Sequence, residues 1–373
     1  MIKNYRWIVL SLMISGAISC VNTDKNAEQE AVSTGSSDLF LTQDDQSGAI
    51  SVFRKGSKTP VLVQHAKEGF RPYLHPLSAP DGKGTLTEYS PAHHKHQTGI
   101  YWGFTRVNGR DFFHNPGSDY WKKISAYITE KEGSEVKWQT VYDLLDEKGN
   151  TILTETQKWS MRNDSGKFVI SLEWKGEAKT DITIGKYDYG GLFIRMPWKE
   201  GIKGEVTNSA RQRNEHAEGQ RATWVDVGIQ VEGRDDFAHI AVFDHPENKG
   251  YPLPWRVDSQ LGIGPARSRE GDWQIKSGET EVIRHQLVVY TGELNDVKLN
   301  EQWVAFSGKE NPLYADAEMW KIAQQEGLDA KFLTPEEAVK AMTVKDGYKV
   351  NVWAAEPLMT QPMAFCWDDR GRL

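Results

Sequence analysis

Val136-Lys137-Trp138-Gln139-Thr140-Val141-Tyr142, then Thr151 to Met161, then Phe168-Val169-Ile170-Ser171-Leu172-Glu173-Trp174, decide the fold class. Each run carries β-branched and aromatic side chains with polar ones interleaved, the period-two pattern of a strand with one buried face. Asp146-Glu147-Lys148-Gly149-Asn150 and Asn163-Asp164-Ser165-Gly166 separate them, and Gly, Asn and Asp are the residues that tight turns accept. The three runs read as meandering antiparallel hairpins. Outward from this centre lie Ala49–Arg54 and Thr59–Gln64 on one side. On the other lie Gly191–Met196, Trp224–Val231, His239–Phe243 and Val282–Tyr290. Hardly a helical stretch precedes residue 313. Residues 38–308 are therefore predicted to form one all-β domain, a large two-sheet antiparallel sandwich. Pro72 and Pro76 in Phe70-Arg71-Pro72-Tyr73-Leu74-His75-Pro76-Leu77 place that segment at a sheet edge, because proline gives no ladder donor.

The chain has 373 residues, 38% apolar and 26% charged, with 45 basic against 52 acidic side chains and a net charge of −7. No basic patch stands out, so nucleic acid is not an expected partner. Fourteen tryptophans suit either a sandwich core or the walls of a sugar site. Lys3 and Arg6 flank the apolar run Trp7 to Ile18, which is too short for an ordinary span and fits a signal peptide. Ala17-Ile18-Ser19-Cys20 resembles a bacterial lipobox, with Cys20 the lipid-bearing residue. Residues 1–20 are thus expected to be a lipoprotein signal and 21–37 a polar tether, with the protein held at the bacterial envelope, periplasmic or surface-exposed. Cys366 then has no disulfide partner.

Beyond Asn311-Pro312 the pattern turns helical. Ala315 to Gln325 has helical spacing, and Thr334-Pro335-Glu336-Glu337-Ala338 has Thr at the cap and Pro at the first helical position. Residues 309–345 are read as a helical linker. Tyr348 to Ala355 reads as a strand opening a further domain over 346–373.

The candidate site centres on His93-His94-Lys95-His96-Gln97-Thr98-Gly99-Ile100-Tyr101-Trp102-Gly103. On a strand, His94 and His96 share one face and His93 the other. That pair with a carboxylate can hold a divalent metal, His245, Asp244 or Glu88 supplying the third ligand, or the two imidazoles can hydrogen-bond in a polar pocket. No Gly-x-Ser-x-Gly, phosphate loop, dinucleotide fingerprint or Cys-x-x-Cys-His motif is present.

Two resemblances follow from these residues. His75-Pro76-Leu77 with Pro80-Asp81-Gly82, the 94–103 stretch, Tyr189-Gly190-Gly191-Leu192-Phe193-Ile194-Arg195-Met196-Pro197-Trp198, and Phe243-Asp244-His245-Pro246-Glu247-Asn248 resemble the PmoA-like family over residues 65–295. So do Pro254-Trp255 and Gly262-Ile263-Gly264-Pro265. The family is labelled for a methane oxygenase, but the integral subunit of that name spans the membrane several times and no second segment of this chain can. Where the family commonly has a further His or Arg, this chain has Gln97 and Thr98. Residues 334–373 resemble the opening of membrane-bound, glucose/sorbosone-dehydrogenase-like β-propellers. The sandwich is of a size with those of the galactose-mutarotase type, in which His is a general acid and a carboxylate a base, a likeness of fold only.

The site expected from these readings has His94, His96 and His245 as proton-transfer groups. Arg195, Tyr101, Trp102, Asp244 and Trp255 bind substrate, a carbohydrate or other small molecule. A divalent metal on His94 and His96 is the open alternative. The function classes in play are a carbohydrate-binding or carbohydrate-processing module, a non-catalytic adaptor for a propeller dehydrogenase, and a metal-dependent oxidoreductase.

Overall fold

The alternating runs pair as two large antiparallel sheets packed face to face in the computed structural model, which describes residues 38–309, 334–353 and 355. The nine-stranded sheet runs Trp255–Val257, Gly262–Pro265, Gly191–Arg195, Ile100–Gly103, Tyr73–Leu77, Leu62–His65, Ile50–Arg54, Leu39–Gln43, Glu132–Gly133. The eight-stranded sheet runs Gly204–Asn208, Trp224–Ile229, Ala238–Asp244, Thr280–Thr291, Lys167–Ala178, Thr151–Asp164, Val136–Leu145, Trp121–Glu130. A two-stranded ribbon joins Ile182–Ile184 to Trp273–Ile275.

Strand alternation sends one set of side chains inward from each sheet. Leu74, Ile100, Trp102, Leu192 and Ile194 come from the first sheet, and Trp138, Trp159, Ile170, Leu172 and Trp174 from the second. Trp102 stacks on Trp174 with centroids 4.9 Å apart. Among the described residues seven tryptophans are fully buried. Burying a large aromatic removes roughly 150–250 Å² from water, on the order of 4–6 kcal/mol of transfer free energy at about 25 cal/mol per Å². The core therefore takes these rings. Their indole N–H groups need partners: Trp174 donates to Glu155 (2.9 Å), Trp159 to Gln157 (3.1 Å) and Trp138 to Gln64 (3.1 Å).

Three expectations are corrected. The Tyr73–Leu77 strand is interior, between Leu62–His65 and Ile100–Gly103. Its prolines are tolerated because only Tyr73 and Leu74 pair with the 100–103 strand, while the register against 62–65 slips between Leu62 and Gln64. An α-helix, Asp296–Ser307, falls where no helix was expected. Only Leu299 and Trp303 of it are buried, too few for an apolar stripe, yet Asn295 caps its start and Gly308 ends it left-handed. This helix lies on the outer face of the eight-stranded sheet against Trp224, Phe243 and Tyr290. Tyr348 to Trp353 is not a strand, having no ladder partner among the described residues.

Thr334 caps a helix over Pro335–Ala341 in a full capping box with Glu337. The expected signal, lipidation at Cys20, the 21–37 tether, the 315–325 helix and Cys366 lie outside the described residues. No described helix is long and apolar enough to cross a membrane.

Candidate functional site

The outer face of the nine-stranded sheet carries Tyr73, Tyr101, Phe113 and Phe193 as an aromatic floor. Alternation explains the split at the 100–103 strand: Tyr101 faces this floor while its neighbour Trp102 faces the inter-sheet core. The histidine stretch runs over the floor. His93 to Gln97 is not a strand, as expected, but two successive turns, with His94 N–H donating to Pro91 O (2.9 Å) and Gln97 N–H to His94 O (3.0 Å). The turns bring the histidines together instead of alternating them. His93 meets His94 at 5.1 Å between centroids, His94 meets His96 at 5.8 Å, and His96 meets His114 at 4.5 Å.

His114 extends the row. Asp111 accepts the Phe113 and His114 backbone N–H groups (3.0 Å each), an Asx turn that presents its second oxygen to His114 Nδ1 at 2.6 Å. The other ring nitrogen, Nε2, lies 3.1 Å from the Tyr189 hydroxyl. Asp111, His114 and Tyr189 thus form one hydrogen-bonded chain. The Asp-x-x-His spacing was the sequence signal for its first link. Tyr189, 75 residues away, had none.

Two buried guanidiniums hold the turns. Arg195 donates from Nε to the Gln97 side chain, from Nη1 to Gln260 O (2.6 Å), and pairs through Nη2 with Asp258 (2.5 Å). Burial raises the Asp258 carboxyl, but the Arg195 charge and hydrogen bonds overcome this and hold it below its ordinary range. Gln97 thus stands where it can brace Arg195. Arg71 donates to Phe113 O (2.5 Å), His96 O and Thr98 Oγ1 (3.3 Å), and lies 3.8 Å from the Tyr101 ring centroid. Burial pushes it down to about 10.

The same burial disfavours the charged form of His94, His96 and His75. His96 is pushed down to about 3 by desolvation, then by His114, Arg71 and His94, and His94 is lowered by desolvation, then by Arg195. His75 falls to about 4 through burial and then His65. Glu88, behind His93, is raised by burial. Among the described residues no three His, Cys, Asp or Glu side chains are grouped to hold a metal ion.

The remaining expected site residues lie elsewhere. Trp102 and Trp255 are interior, Trp255 donating to Ala222 O (2.9 Å). Asp244 and His245 end a strand of the other sheet. Asp244 is fully buried, pushed up to about 7 by desolvation, and accepts from Asn248 (2.7 Å). His245 packs edge-on against Phe306 at 4.9 Å. The structure brings together His94, His96, Arg195 and Tyr101, and not Trp102, Trp255, Asp244 or His245.

These shifts predict an acid sensitivity. The folded pKa values of His75 and His96 lie below the ordinary 6.5, so the unfolded chain binds more protons between about 3 and 6.5. The stability they confer is present above 6.5 and lost as pH falls through that window. Glu155 and Asp244, raised to about 7 by burial, act oppositely, their contribution being lost as pH rises toward 7. His96→Asn is expected to lose less stability than the wild type on going from pH 7 to pH 5, measured as urea midpoints. An equal loss in both would contradict the assignment.

A family model for a family of unknown function, DUF6807, matches residues 54–304, two thirds of the chain. The chain belongs to this family. Residues 334–373 match a second model, the domain of unknown function DUF7133. No curated protein matches. Among solved structures, similarity extends to the GH36 α-galactosidase AgaB of Geobacillus stearothermophilus, at 8% identity and TM-score 0.35, covering 68% of this chain and 41% of that one. The AgaA variant A355E D478A from the same organism, in complex with stachyose, gives 10% identity and TM-score 0.37, covering 69% and 41%. A galactose mutarotase related enzyme from Lactobacillus acidophilus gives 6% and 0.32, covering 68% and 97%. The chain spans about two fifths of the length of the α-galactosidases it matches. Scores this low leave the fold to be read from the two sheets themselves.

Proposed function

We propose that this DUF6807 member binds a saccharide on the outer face of its nine-stranded sheet, and that the Asp111–His114–Tyr189 chain moves a proton to or from it. The observation that carries this reading is the continuous row His94, His96, His114, Tyr189 over an aromatic floor. A neutral imidazole offers one donor and one acceptor, as a sugar hydroxyl does, so neutral histidines suit hydroxyl recognition better than charged ones. Within the chain, a proton taken up at the Tyr189 hydroxyl displaces the phenolic proton to His114 Nε2, and Asp111 stabilises the resulting imidazolium.

Glycan-array screening followed by calorimetry tests the reading. Tyr189→Phe removes one donor and is expected to weaken binding by about fivefold, since one lost hydrogen bond is worth about 1 kcal/mol. His114→Ala is expected to weaken it further. Variants that bind every glycan as the wild type does would remove the site.

The resemblance of residues 334–373 to the opening of a propeller-type dehydrogenase favours a second reading, in which the sandwich is a non-catalytic adaptor for such a module. In either reading Cys20 anchors the protein by lipid at the bacterial envelope. Labelled palmitate should be incorporated by the wild type and not by Cys20→Ser; equal labelling would refute the anchor.

A further inference from the structure

We propose that the ligand of this site is an acidic saccharide, a uronic acid whose carboxylate sits on Arg256 while the His94–His96–His114–Tyr189 row meets its hydroxyls. The inference rests on the saccharide reading and adds the charge of the ligand. Arg256 stands beside the row, its guanidinium carbon 5.8 Å from the Tyr189 ring centroid. Its side chain is 31% exposed and donates from Nη1 to Glu218 at 2.8 Å. Nε and Nη2 have no partner among the described residues. These two atoms form one edge of the planar fork that binds carboxylates bidentately.

The charges around the row point the same way. Arg256 and Arg269 share one carboxylate, Glu218, which also accepts the Val257 N–H. Arg195 is closed on Asp258. Asp111 is engaged by His114. Arg71 lies under the floor with carbonyl and hydroxyl acceptors and no carboxylate in ion-pair distance among the described residues. The acids near the row are thus already engaged, and a neutral sugar leaves the free edge of Arg256 to water where a uronate carboxylate would fit it.

The test compares one saccharide with and without its charge. Trigalacturonate and triglucuronate are titrated into the full chain by calorimetry, alongside their methyl esters. The acid is expected to bind at least tenfold more tightly than its ester, with the difference shrinking as salt is added. Arg256→Gln is expected to abolish the difference. Arg256→Lys, which keeps the charge and loses the fork, should retain part of it, and unchanged melting temperatures confirm that both variants fold. Equal binding of acid and ester overturns the proposal and leaves the saccharide reading standing. A preference for the acid that survives in Arg256→Gln overturns the seat assigned to the carboxylate. Absence of binding to these and to every neutral glycan of the array removes the saccharide reading itself.

Discussion

Arg195→Ala is expected to lower stability by about 3–5 kcal/mol, the range for breaking one partner of a buried ion pair. The cause is not the lost attraction alone. Asp258 is only 11% exposed and would keep a carboxylate whose charge nothing answers. Gln97 Oε1 and Gln260 O would lose their donor at the same time. Because Gln97 closes the second histidine turn, ligand binding should fail along with stability. Urea denaturation measures the first effect and calorimetry the second. The discriminating control is the double variant Arg195→Met, Asp258→Leu. Removing both charges relieves the buried carboxylate, so the double variant should be more stable than Arg195→Ala while still failing to bind. If the double variant is the less stable of the two, the ion-pair account is wrong.

Gly99→Ala is expected to cost at least about 2 kcal/mol, for two separable reasons. Gly99 has φ +79, where an L side chain pays about 1–2 kcal/mol. A Cβ there would also stand 2.4 Å from Leu74 O, a main-chain atom. That carbonyl cannot swing aside, because Leu74 pairs with Gln64 on one side and Ile100 on the other. Gly99 O in turn accepts the Arg195 N–H at 2.9 Å, so a displaced Gly99 disturbs the guanidinium that holds the site. Gly56→Ala is the comparison: φ is +82, with nothing within 4 Å of the added methyl. The excess loss of Gly99→Ala over Gly56→Ala, read from urea midpoints, isolates the steric part. Equal losses would show that the contact relaxes freely.

These two residues also show how far the sequence could be read. Gly99 lies in the histidine stretch on which the candidate site is centred, but nothing in the chain shows that its missing side chain leaves room for Leu74 O. Arg195 stands among apolar strand neighbours, where a charge is either paired in a pocket or points outward. Its partner, Asp258, carried no signal, since 63 residues separate the two and only pairing of the 191–195 and 262–265 strands brings them together. His114 and Tyr189 were missed as a pair for the same reason. Trp102, Trp255, Asp244 and His245 were drawn in by motif proximity, which places residues near one another in the chain and not on one face of a sheet.

Period-two alternation and its turn residues determined, by themselves, that the chain builds an antiparallel sandwich, because burial of one strand face is a local pattern. They also determined that a polar, histidine-rich segment sits against aromatics. Which histidines meet, and with which acid, arginine and tyrosine, was decided only in three dimensions. The 93–97 segment folds into turns rather than a strand, and the two faces of the 100–103 strand send Tyr101 to the site and Trp102 to the core. Strand order and sheet face are properties of the assembled sheets, and neither can be counted along the chain.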